Sequence, residues 1–153
     1  MPRLPMPPRS FRWLLIVWGG TLFVWVSLED TSTMTVAILG AGTALLAGVR
    51  QALKSFGGRP LPGGAALLGA ALLGAALLGA TVGVGGAVCA SALMFIKTAA
   101  HAHAFPDYPP TQIIAMLGRA PVWGVAGALA GCGLLLAWAA LMWDTTNERH
   151  PSR

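Results

Sequence analysis

Four stretches of this chain, residues 13–28, 34–49, 65–96 and 121–143, contain no Asp, Glu, Lys, Arg or His. A helix needs about 20 apolar residues to cross a ~30 Å hydrocarbon core, and runs that long without charge are a membrane signature rather than a buried-core one. Only 10% of the 153 residues are charged, against about a quarter in a soluble domain. The fold class expected is all-α: a polytopic integral membrane protein with four transmembrane helices packed as a small bundle. The spans are placed at about 13–28, 34–49, 70–96 and 121–143, between a basic segment at 1–12 and a polar tail at 144–153.

The flanks support these limits. Trp13 and Trp25 fall near the two ends of the first run, and Trp123 and Trp143 near those of the fourth, where amphipathic rings prefer the membrane interface. Thr31, Ser32 or Thr33 can cap the second helix, and Pro121 suits the start of the fourth. The first run follows Arg3, Arg9 and Arg12 and resembles a signal peptide. Val26, Ser27 and Leu28 offer no small-residue cleavage site, so an uncleaved anchor is expected.

The third run is too long for one straight span, at roughly 48 Å for its 32 residues, and too short for two. It projects, tilts or breaks, and a break would fall at Gly83, Gly85 and Gly86, where helix propensity is lowest. Its first half repeats AALLG three times, at 65–69, 70–74 and 75–79. Five residues leave ~140° beyond a full turn, so the repeat lines up no single face. Before the fourth run, Pro109 and Pro110 precede TQIIAML (111–117). This predicts a short interfacial helix with Ile113, Ile114, Met116 and Leu117 toward lipid, ended by Gly118.

Lys and Arg counts set the orientation. With the N-terminal flank, the 50–64 loop and the tail in the cytoplasm, Arg3, Arg9, Arg12, Arg50, Lys54, Arg59, Arg149 and Arg153 lie inside, and only Lys97 and Arg119 outside. The expected location is the cell (inner) membrane, with both termini cytoplasmic. The net charge of +5 sits at the ends of the apolar runs. It therefore fits lipid headgroups and not nucleic acid.

Small residues recur every four positions: Gly40, Ala44 and Gly48 in the second run, Gly79 and Gly83 within a longer stripe in the third, and Gly127 and Gly131 in the fourth. Such stripes let helices pack closely, within this chain or against partner helices. In the third run composition alone accounts for one. Cys89 and Cys132 lie roughly 12 Å and 20 Å from their nearest charged flanks, a depth mismatch that disfavours a disulfide.

With no ionisable group inside the runs, proton-coupled transport and intramembrane hydrolysis lose support. No nucleophile accompanies a histidine at recognisable spacing, so no enzyme is expected. The one reactive-looking cluster follows Lys97. In an extended chain His101 and His103 project to one side and could share a Zn²⁺ or Cu²⁺ ion with Asp107, or one could ligate a porphyrin-type pigment. The simpler reading is a solvated helix end stopped at Pro106, with Tyr108 anchored at the headgroups. The leading expectation is a non-catalytic accessory or structural subunit that packs against other membrane subunits. The alternatives are a small homo-oligomeric channel or carrier, and extracytoplasmic metal or cofactor binding.

Overall fold

The computed structural model describes residues 8–56, 65–101 and 106–147, all helical apart from short connections. The helices are α1 (Pro8–Ser27), α2 (Thr33–Phe56), α3 (Ala65–Ala100), α4 (Pro110–Leu117) and α5 (Ala120–Asn147). Among the described residues four segments are long and apolar enough to cross a membrane: Ser10–Ser27, Thr33–Ala52, Gly69–Ala100 and Pro110–Leu141. Large apolar side chains point outward along them, as Phe23 (76% exposed) and Leu134 (74%) do. Such a surface is matched to lipid and not to water. The chain is an all-helical membrane bundle.

Several helices outrun their apolar stretches. α2 passes Arg50 to Phe56, α3 passes Lys97 to Ala100, and α5 passes Asp144 into the residues read as tail. Charge ends residence in hydrocarbon, but Arg, Lys, Gln and Ala are all good helix formers. Ser32 caps α2, its Oγ accepting from the Thr35 N–H at 3.4 Å. Pro109 stands at the start of α4 with Pro110 in its first turn.

One open alternative is removed and one expectation needs correction. α3 is one unbroken helix of 36 residues, with no break at Gly83, Gly85 or Gly86. In hydrocarbon a break would strand backbone amides with no water to bind, and here the glycines are held by neighbours. Gly86 packs between Ala41 of α2 and the Trp123 ring of α5. The short helix α4 also does not lay all four apolar residues on lipid. Ile114 and Leu117 are exposed, but Met116 is buried and Ile113 packs on the core. α4 is folded back against α3 rather than floating at the interface. Gly118 follows it with a right-handed φ of −60°, so the helical path is only interrupted before it resumes at Ala120. Pro121, which has no N–H to offer the Leu117 carbonyl, explains the interruption.

α3 is the central element, and α2 and α5 each pack mainly on it. The contacts are backbone to backbone. A Cβ built on Gly79 would strike the Gly127 carbonyl, and one on Gly127 the Gly79 carbonyl. Gly83 meets the Trp123 carbonyl and Gly131 the Ala75 carbonyl in the same way. On the other flank a Cβ on Gly40 would lie 2.5 Å from the Ala90 nitrogen, Gly48 faces Val82, and Ala44 is buried against Gly85. The α3 stripe is therefore a packing face and not merely a consequence of composition. Close approach of this kind replaces side-chain burial with dispersion and Cα–H···O contacts.

α1 is held differently. Trp18 lies over Gly42, and its Nε1 donates to Thr43 Oγ1 at 3.0 Å. Trp25, Val36, Leu39, Ala90, Met94, Tyr108 and Met116 form the apolar core, gathered at the end of the bundle where α1 stops and α3 ends.

Gly79→Val or Gly127→Val should force α3 and α5 apart and cost ~1–3 kcal/mol. Gly74→Ala and Gly133→Ala, at positions open to 4 Å, should be neutral or stabilising by up to ~1 kcal/mol. Denaturation midpoints in mixed detergent micelles measure both.

Candidate functional site

The described polar groups concentrate directly beyond that core. α1 ends at Ser27, and the last carbonyls of any helix lack intrahelical partners. The Leu28 N–H turns back to the Trp25 carbonyl at 3.1 Å, and Lys97, one turn from the end of α3, supplies further donors. Its Nζ donates to the Trp25 carbonyl at 3.1 Å and to the Leu28 carbonyl at 2.5 Å. The ammonium also lies 4.4 Å from the centre of the Trp25 ring. Lys97 is 0% exposed. A buried cation is costly unless it is hydrogen-bonded. Here a helix C-terminus, which carries partial negative charge, and an indole face take the place of its water. The expectation of a solvated helix end at Lys97 is therefore wrong: α3 carries the residue under α1, out of reach of solvent.

Asp30 completes the arrangement. The Trp25 Nε1–H donates to its Oδ2 at 3.3 Å, and the Ser32 N–H donates to its Oδ1 at 2.9 Å. The Ser32 N–H first, then a hydrogen bond from Thr35, holds the Asp30 carboxyl below its ordinary range, with Trp25 and the Lys97 charge adding to the effect. The Asp30 carboxylate is present above the ordinary carboxylate range, and its contribution to stability is lost as pH falls through the lowered value.

Tyr108 ties the second loop to the first. Its hydroxyl donates toward the Asp30 and Ser32 carbonyls at 3.4 and 3.5 Å, and its N–H donates to Thr98 Oγ1 at 3.2 Å. At 1% exposure it does not sit among headgroups as expected. Pro109 and Pro110 turn the chain so that the ring enters the core. Burial, and then the carboxylates of Asp30 and Asp107, push the phenol up to about 12.

Of the proposed metal ligands, His101 Nδ1 lies 2.5 Å from Asp107 Oδ2, both side chains being mostly buried. His103 lies outside the described residues. The His101 N–H still donates to the Lys97 carbonyl at 3.1 Å, so the extended path that would align the two imidazoles does not hold at its first residue. Among the described residues no three His, Cys, Asp or Glu side chains converge. The two cysteines are free, with Cys132 Sγ 3.7 Å from the Leu72 carbonyl.

Sequence reasoning missed Lys97, Trp25, Asp30 and Thr98 as partners. One signal was available. The 29–33 loop carries Glu29 and Asp30 and no base, and Lys97 closes the run that must return to the same end.

Lys97→Met should cost ~1–3 kcal/mol by removing the donor to the Leu28 carbonyl and leaving the Trp25 carbonyl with the Leu28 N–H alone. Hydrogen exchange in the last turn of α1 should quicken, and Arg119→Met, at an exposed site, should do neither. Tyr108 is the only tyrosine, so alkaline phenolate absorbance reports it alone. The midpoint should lie near 12 in the folded protein and fall to about 10 on unfolding. The raised value favours the folded state below about 10, and that contribution disappears as pH climbs through about 12.

No family model, no curated protein and no solved structure matches the chain.

Proposed function

We propose that the chain is a non-catalytic accessory or structural subunit that packs against partner helices in a larger complex of the cell membrane, with both termini in the cytoplasm. The observation that carries this reading is the use made of polar groups. Among the described residues the buried cation is Lys97, and it joins α1 to α3, with an indole and two carbonyls around it. Substrate and ion pathways are built from ionisable groups facing a cavity, whereas Lys97 is fully buried against α1.

The outer faces add support. Gly19 and Gly20 in α1 and Gly133 in α5 have open space where a side chain would stand. Glycine within a helix costs about 1 kcal/mol relative to alanine, and nothing inside this chain compensates at these positions. Close approach by the backbone of another subunit would.

Purification in mild detergent followed by native mass spectrometry should find the chain with other membrane proteins. Gly20→Leu should leave the chain folded and strip at least one of them. A lone monomer would refute the reading, and a complex of identical copies would replace it with a homo-oligomer.

A further inference from the structure

The other end of the bundle carries a second built feature. Beside the Trp18–Thr43 hydrogen bond, α1 and α2 enclose a groove of about 500 Å³ lined by Leu15, Trp18, Thr43, Leu46, Ala47, Arg50 and Gln51. Its two walls have the same order. On α2, Thr43, Leu46 and Ala47, and Arg50 follow one another at helical spacing, so they share a face. On α1, Trp18, Leu15 and Arg12 do the same, three residues apart, with Arg12 one turn beyond the groove's last α1 residue. Both walls therefore run from the Trp18–Thr43 hydrogen bond, through aliphatic side chains, to an exposed arginine. The helices are antiparallel, so Arg12 and Arg50 stand at the same open end.

We propose that this groove holds one anionic phospholipid, an acyl chain against Leu15, Trp18, Leu46 and Ala47 and the headgroup phosphate between Arg12 and Arg50. The groove is apolar where hydrocarbon would lie and cationic where a phosphate would lie. Guanidinium groups match phosphate oxygens in two-pronged geometry. The basic end also lies at the limit of two candidate spans, Ser10–Ser27 and Thr33–Ala52, so its depth is that of headgroups. Another open groove, lined by Gly20, Thr21, Val24, Trp25, Leu28, Thr35 and Leu39, has no cation in its lining and marks what an uncharged lipid-facing cleft looks like in the same chain.

Native mass spectrometry of the full chain, exchanged into detergent with phosphatidylglycerol or phosphatidylcholine, tests the proposal. Phosphatidylglycerol should survive delipidation as a single retained molecule and phosphatidylcholine should not. Arg12→Gln and Arg50→Gln should each weaken retention about fivefold, near the worth of one basic residue at an anionic surface. Arg50→Lys should retain most of it, and Ala47→Trp, which fills the groove, should abolish it with both arginines in place. Excess inorganic phosphate should not displace the lipid, because the acyl chain holds it; displacement would show a phosphate site and overturn the proposal. Equal retention of the two lipids would also overturn it, as would an equal loss in Arg119→Gln, which does not line the groove.

Discussion

α3 touches two helices along its length because the residues it turns toward them have almost no side chain. In lipid there is little hydrophobic gain from hiding one apolar surface against another, so helices associate through close contact of their backbones. The reciprocal meeting of Gly79 and Gly127, each against the other's carbonyl, sets how near α5 can come. Gly40 against Ala90 does the same for α2. These two lines of contact make α3 the central element, and the other helices take their places from it. They also account for its continuity through Gly83, Gly85 and Gly86, since the glycines that weaken the isolated helix are the ones its neighbours grip.

α1 lacks such a line and is joined by polar chemistry instead. Trp18 bonds Thr43 near its middle, and Lys97 caps its end. The two devices divide the molecule by depth. Toward the Lys97 end, large side chains such as Trp25, Met94, Tyr108 and Met116 fill a core and the loops are cross-tied by Asp30 and Tyr108. Toward the opposite end the groove between α1 and α2 is bordered by Arg50, while the groove between the same helices beside Trp25 carries no cation.

Much of the fold was legible because it follows from one-dimensional properties. Uncharged run length, the tryptophans at run ends and the Pro109–Pro110 turn locate the helices, although α1 begins earlier, at Pro8, and α2 runs on to Phe56, and small residues four apart mark faces on which backbones can approach. The positions at Gly40, Ala44, Gly48, Gly79, Gly83, Gly127 and Gly131 all lie on contacts within the chain. The candidate site was far less legible. Lys97 reads as a solvated flank because a cation after an apolar run nearly always is one, and Tyr108 reads as an interfacial anchor for the same reason. Both depend on partners 69 to 78 residues away in the chain. Periodicity carries no information about pairs so distant.

The sequence by itself determined that the protein belongs in a bilayer, how many helices cross it and which end of the bundle is more basic. These are consequences of transfer free energy summed over consecutive residues, which no neighbour can reverse. The tertiary structure alone decided which helix is central, whether the glycine stripes meet a partner inside the chain, and that Lys97 spends its charge on the end of α1. Those outcomes depend on which unsatisfied carbonyl lies within reach of which donor after packing, and that is a property of the assembled helices.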